Sequence, residues 1–183
     1  MRIVAGKFAG RHLTSPNDFR VRPTAEHVRA AVLDLIEPEL PNADVIDLFA
    51  GTGALGLEAI SRGARRCDFL ETRPASLFAI KANVARLKLR DRTRIFKKDA
   101  LPFAAGLGTD AYHIAFLDPP YESRMLDRVL DGWMATRFSR ILVVEHARAH
   151  ALPPGAIHQL FDDTAITIYR ADRLPPLPEL PVP

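Results

Sequence analysis

Between residues 44 and 144 the chain alternates short apolar runs with helical periodicity, and few folds accept that alternation. The runs are Val45-Ile46-Asp47-Leu48-Phe49, Asp68-Phe69-Leu70-Glu71, and residues 93–97, 113–117 and 141–144. Between them, residues 54–62 read as a helix stopped by Gly63. A second helix opens near Pro74 and places Leu77, Ile80, Val84 and Leu87 on one face. A third, with Ser123 as its cap, carries Leu126, Val129, Leu130 and Trp133. Parallel strands need long crossovers, so this pattern implies a parallel sheet with helices on both faces. Residues 157–161 and 165–169 then follow too closely for a helix, with Asp162-Asp163 as their turn, so they pair antiparallel. The expected class is α/β: a seven-stranded, mostly parallel sheet, six strands parallel and the last antiparallel.

The front of the chain reads differently. Ile3-Val4 and Arg11-His12-Leu13-Thr14, separated by Gly6 and Gly10, predict a β-hairpin. A polar loop runs to Arg22. Pro23-Thr24 then opens a helix with Thr24 as N-cap, burying Val28, Ala31, Val32, Leu35 and Ile36. The last ten residues hold five of the fifteen prolines and cannot form a core element. The expected division is a basic hairpin and loop over residues 1–22, one domain over 23–173, and a Pro-rich tail over 174–183.

Asp47-Leu-Phe-Ala-Gly51-Thr-Gly53-Ala-Leu-Gly56 joins the first parallel strand to its helix. Glycines there let the backbone approach a ligand at the helix N-terminus. The spacing of Gly51, Gly53 and Gly56 also satisfies the dinucleotide fingerprint, which keeps an NAD-linked oxidoreductase open as an alternative. Glu71, ending the second strand, suits a ribose diol in either case. Asp47 discriminates. A carboxylate facing the crevice disfavours a pyrophosphate and favours a cation such as the amine and sulfonium of S-adenosylmethionine; an aspartate in such a turn can also simply bond backbone amides. Asp99, ending the third strand, can accept from an adenine amino group or cap a following helix.

Asp118-Pro119-Pro120-Tyr121 follows the fourth strand. The prolines donate no backbone hydrogen bond and fix the chain. The Asp118 carboxylate and the Pro119 carbonyl are both acceptors, so together they select an amino group. Accepting its hydrogens frees the lone pair of a conjugated nitrogen for attack on a methyl group. Tyr121 offers a face for stacking on an extruded base.

These residues carry a family likeness. The chain resembles the class I S-adenosylmethionine-dependent methyltransferases, which are Rossmann-like, and more narrowly the bacterial 16S rRNA (guanine-N2) methyltransferases. The likeness rests on Met1-Arg2-Ile3-Val4-Ala5-Gly6-Lys7, Gly10-Arg11, Arg22-Pro23-Thr24, Val28-Arg29, the run from Asp47 through Gly56 to Leu57-Glu58-Ala59, and Asp118-Pro119-Pro120-Tyr121. The opening and Arg-Pro-Thr segments separate it from adenine-N6 DNA and glutamine methyltransferases, which share the last motif. The resemblance implies that Asp47, Phe49, Ala50, Gly51, Gly53 and Leu55 line the methyl-donor site, with Glu71 on the ribose and Asp99 and Ala100 beside the adenine. It implies that Asp118, Pro119, Pro120 and Tyr121 hold a guanine amino group of 16S rRNA, within an assembling small subunit.

Net charge is only +3, but it is unevenly spread. Residues 1–30 hold six basic against two acidic residues, a local +4, and residues 81–98 hold eight against one, a local +7. Arg2, Lys7, Arg11, Arg20, Arg22 and Thr24 are the expected RNA contacts. The second cluster reads more simply as a solvated helix face, at least from Arg86 to Arg92. A non-catalytic RNA-binding assembly factor is the other alternative. Cys67 is the single cysteine, which excludes a disulfide scaffold. No apolar run approaches the ~20 residues of a membrane span. Arg2, Lys7 and Arg11 interrupt any signal-peptide core. A cytoplasmic monomer is expected. His146 and His150 lie four apart without an evident third ligand, so no metal is expected.

Overall fold

A computed structural model describes residues 1–16, 25–120 and 124–177. Thr24, Arg20, Arg22, Tyr121, Ser123 and the end of the Pro-rich tail lie outside the described residues. The core elements are β1 (Asp44–Asp47), α2 (Ala54–Ser61), β2 (Arg66–Leu70), α3 (Pro74–Arg86), β3 (Thr93–Phe96), α4 (Ala100–Ala105), β4 (Tyr112–Leu117), α5 (Met125–Thr136), β5 (Ser139–Ala147), β6 (Ile157–Phe161) and β7 (Thr164–Arg170), preceded by α1 (Glu26–Leu35). They build one seven-stranded sheet in the order β3-β2-β1-β4-β5-β7-β6. β7 alone runs against its neighbours, antiparallel to both β5 and β6. The expected strand count and the direction of the last strand both hold.

Each central strand is buried on both faces, as continuous apolar runs require. Val45, Phe69, Phe116, Val143 and Ile166 face α1, α2 and α3. Ile46, Leu70, Leu117, Val144 and Tyr169 face α4 and α5. The predicted α3 face of Leu77, Ile80, Val84 and Leu87 is buried as expected. Three glycines make the β1–α2 junction possible. Gly51 (φ +54°) and Gly53 (φ +77°) are in the left-handed region. A Cβ on Gly56 would stand 2.4 Å from the Cys67 sulfur and 2.5 Å from Phe69 Cε1, so α2 packs closer to β2 than any side chain permits.

Local details differ from the sequence expectations. α1 begins at Glu26 with Ala25 as its uncapped N-cap, not at Thr24. In place of a side-chain cap, Glu26 accepts the backbone N–H of Arg2 at 2.8 Å. Leu33 and Arg29 are buried on α1, while Ala31 and Leu35 are only half-buried. The α5 cap residue is Arg124 rather than Ser123, and it makes no side-chain cap bond. α4 went unread as a helix, being one and a half turns long with only Ala100 and Ala104 buried. β5 is twice its expected length because its carboxyl end carries Glu145 and His146 into the core.

The N-terminal segment is a short antiparallel ribbon. Arg2 bridges His12, Ile3 N donates to Arg11 O, and Leu13 N donates to Met1 O. A single turn of 3-10 helix, Gly6–Phe8, fills the bend. Ile3 and Leu13 plug into the same core as α1 and α2. Gly6 (φ +79°) lies so close to α2 that a Cβ would sit 2.1 Å from Ser61 O, and Ser61 Oγ accepts from Phe8 N and donates to Ala5 O.

Arg29 corrects the expectation that the front of the chain is uniformly a basic surface. It is fully buried, and its Nε donates to Glu58 Oε2 at 2.7 Å, with Glu58 equally buried on α2. A second Arg29 nitrogen donates to Arg2 O, and Arg62 pairs with both Glu58 and Asp34. Breaking a buried pair by removing one partner leaves an uncompensated charge and costs about 3–5 kcal/mol. Arg29→Met alone should therefore lower unfolding free energy by about that amount in urea titration, and Glu58→Leu in the same chain should recover part of the loss. Equal or additive losses would show that the pair is not the unit holding ribbon, α1 and α2 together.

Candidate active site

β1 is hydrogen-bonded to β2 on one side and β4 on the other, so strand order reverses beside it. In such sheets the crevice beyond the carboxyl ends of the strands at the reversal receives the ligand. The glycine turn, Glu71, Asp99 and Asp118 all follow carboxyl ends of these strands.

Asp47 ends β1 and is 2% exposed. Its carboxylate lies beneath the glycine turn, hydrogen-bonded by the backbone N–H groups of Gly56 and Phe49, rather than out in the crevice. Burial pushes its pKa up to about 7; the Gly56 amide opposes the rise, and the charge of nearby Glu71 adds to it. Both possibilities for Asp47 are therefore combined: it fastens the turn and loads the crevice floor with potential negative charge.

Glu71 is buried at the end of β2. One of its oxygens accepts Gly51 N–H at 3.0 Å, and the other accepts the backbone N–H groups of Thr72 and Arg73. The Arg73 guanidinium also reaches both oxygens, at 3.3 and 3.1 Å. A diol at Glu71 would compete with that guanidinium. Phe49 is half-buried at the mouth of the turn, and Ala50 donates to Leu70 O, tying the turn to β2. Asp99 is exposed and caps α4, accepting Leu101 N–H at 2.9 Å, which realises the capping alternative; Ala100 is buried behind it.

Asp118 is half-buried, Pro119 buried and Pro120 exposed, immediately after β4. Asp118 shares a cavity with Val32 of α1, Leu55 of α2, Phe116, Ile166 and Glu145. Leu55 thus stands between the glycine turn and the Asp-Pro-Pro segment. Glu145 was not singled out from sequence, since only strand register brings it beside Asp118.

Of the expected RNA contacts, Arg2, Lys7 and Arg11 are exposed on the ribbon. Arg2 also pairs with Glu26, and Lys7 stacks over Phe8 at 5.7 Å. The two basic clusters meet: Arg86 donates to His12 O, and Asn83 exchanges hydrogen bonds with the backbone of Thr14. Arg92 and Arg94 are used internally, on Ala64 and Arg65 carbonyls and on Asp68. His146 and His150 do not converge on a common ligand position. His146 bonds Thr167 and His150 bonds Asp127. Among the described residues no helix is long and apolar enough to cross a membrane.

A crevice walled by carboxylates, opening where a seven-stranded sheet reverses and closed at one edge by a backward strand, defines the class I methyltransferases. The relationship to known proteins is narrower. A family model described as conserved hypothetical protein 95 matches residues 1–162, and the chain belongs to that family. It is 34% identical to ribosomal RNA small subunit methyltransferase D of Escherichia coli over 158 residues, 84% of this chain and 78% of that protein. It is 30% identical to the protein of the same name from Haemophilus influenzae, covering 71% of this chain and 68% of that one. The solved structure of E. coli yhhF superposes with a TM-score of 0.80 at 29% identity, covering 93% and 97% of the two chains.

Methyltransferases of this class use S-adenosylmethionine, and the residues present fit it. Two left-handed glycines clear the backbone at the start of α2, Glu71 offers acceptors for a diol, and Asp47 and Glu71 raise a negative potential that a cationic ligand would relieve.

A carboxyl group whose folded pKa is raised holds its proton more tightly in the folded state. Its contribution to stability is complete below the unfolded value near 3.8 and is lost as pH rises through about 7. Unfolding free energy of the ligand-free protein should therefore fall between pH 4 and 7 by up to about 1.4 kcal/mol per pH unit relative to Asp47→Asn. Parallel pH profiles for the two proteins in urea titration would contradict the burial of an ionisable carboxyl at this position.

Proposed function

We propose that the protein transfers a methyl group from S-adenosylmethionine to the exocyclic N2 of a guanine in 16S rRNA. The observation that carries this reading is Asp118 followed by Pro119 and Pro120 at the end of β4, one strand from the glycine turn. The named activity of the E. coli and H. influenzae relatives supports small-subunit rRNA as the substrate.

When bound, S-adenosylmethionine supplies a methyl group on a sulfonium centre, which departs as the neutral thioether. The protein prepares the acceptor. The Asp118 carboxylate and Pro119 carbonyl accept the two N–H bonds of the guanine amino group. That draws the nitrogen out of conjugation and fixes its lone pair toward the donor side of the cavity, where Leu55 and the glycine turn stand. Asp118 or solvent then takes the proton that the methylated nitrogen sheds. Tyr121 stacks on the extruded base, as the motif resemblance implies. Asp47, Phe49, Ala50, Gly51, Gly53 and Leu55 hold the donor's methionine end, Glu71 its ribose, and Asp99 with Ala100 its adenine.

The RNA lies on the exposed cations of the ribbon, Arg2, Lys7 and Arg11, continued by Arg20, Arg22 and Thr24 toward the site. The basic face of α3 extends that surface, because Arg86 and Asn83 hold the ribbon against it. The natural substrate is 16S rRNA in an assembling small subunit, where the target base is still open to extrusion, and the protein acts as a cytoplasmic monomer.

Asp118→Asn tests the catalytic role. Single-turnover methylation of 16S rRNA should slow by about 100-fold or more. S-adenosylmethionine affinity by calorimetry and RNA affinity by filter binding should change little. An unchanged rate would remove Asp118 from the chemistry. Tight NAD binding without S-adenosylmethionine binding in the same calorimeter would replace the reaction class altogether.

A further inference from the structure

We infer that Glu145 is the residue that makes the site select guanine, by accepting the guanine N1–H while Asp118 and Pro119 hold N2. This rests on the guanine-N2 reading above and names the feature of that site which rejects adenine.

The register of the sheet places the two acids together. β4 and β5 are parallel neighbours, with Phe116 opposite Val143 and Leu117 opposite Val144. The next positions are Asp118 and Glu145. Adjacent strands lie about 4.8 Å apart and alternate side chains between faces, so both carboxylates point to the same side as Phe116 and Val143. That side faces α1 and α2, and one cavity is lined by both acids with Val32, Leu55, Phe116 and Ile166. Glu145 is 7% exposed, an unusual position for a carboxylate at the end of a core strand. Both side chains also interact within the chain, so an incoming base joins or displaces existing contacts.

Two carboxylates side by side against apolar walls repel each other unless donors lie between them. The Watson–Crick edge of guanine presents such donors on adjacent atoms, the N1–H and the two N2–H bonds. Adenine presents N6–H beside an N1 lone pair. An Asp-Pro-Pro segment alone accepts either amino group. A second carboxylate beside it accepts N1–H of guanine and repels N1 of adenine. A buried group left facing a lone pair loses a charge-assisted hydrogen bond and gains repulsion, which discriminates strongly.

2-Aminopurine separates this role from a structural one, because it keeps the N2 amino group and carries a bare N1. The target position is first mapped by nucleoside analysis of 16S rRNA methylated by the wild-type protein. A map with no guanine N2 methylation would overturn the function proposed above, and Glu145 selectivity with it. With guanine confirmed, 16S rRNA is ligated to carry guanosine or 2-aminopurine riboside at that position and assembled with small-subunit proteins. The wild-type protein should favour guanine by roughly 10- to 100-fold in kcat/KM. Glu145→Gln, whose amide can donate to a bare N1, should bring that ratio close to unity without altering S-adenosylmethionine affinity. Glu145→Asp, which keeps the charge, should retain the preference at lower rate. Equal losses on both bases in Glu145→Gln, an unchanged ratio, or loss of preference in Glu145→Asp would each overturn the assignment.

Discussion

The turn from β1 into α2 has no room for side chains at Gly53 and Gly56, and the site is organised around that restriction. Gly53 enters the helix with φ +77° against Phe69 and Ile80, and Gly56 lies on the Cys67 sulfur and the Phe69 ring. This close seating brings the Asp47 carboxyl under the amides of Phe49 and Gly56 and brings Glu71 to the Gly51 N–H. The same closeness sets Leu55 at the shared wall with Asp118. Donor site and acceptor site are therefore not independent constructions. A shift of α2 away from β2 would loosen both.

A second constraint fixes the front of the chain on this frame. The ribbon is too short to fold alone, with one β-bridge and two core residues, Ile3 and Leu13. It is held by a buried ion pair whose partners lie on α1 and α2, and by Gly6 pressed against the end of α2. Such pairs are costly to bury, and their value is in fixing one arrangement rather than adding stability. The family pattern Val28-Arg29 together with Leu57-Glu58-Ala59 has this physical content. It positions a cationic ribbon beside a methyl-transfer crevice whose own charge is negative. The small net charge of the chain conceals two opposed fields, one suited to RNA and the other to a cationic donor.

Most of the sheet was legible in sequence because its strands are buried on both faces and its turns carry glycine, proline or paired aspartates. Asp162-Asp163 marks the β6–β7 turn correctly, and the missing crossover there fixes the direction of β7. Legibility failed where a residue's partner is distant in sequence. Arg29 counts as surface charge until Glu58 is brought to it. Thr24 looks like a cap until Glu26 is seen bonding to the ribbon across 24 residues. α4 is too short for periodicity to register, and only its cap at Asp99 signalled it. Glu145 carries no motif at all, and register alone aligns it with Asp118. The motifs thus identified the chemistry, while the residues that refine it depend on strand pairing and helix packing.

The most direct test is methylation of small subunits from cells lacking this protein, using labelled S-adenosylmethionine and followed by nucleoside analysis of the 16S rRNA. The account predicts that the label appears in N2-methylguanosine at a single position that is unmethylated in the starting material. Label in N6-methyladenosine, or none in 16S rRNA, would contradict it.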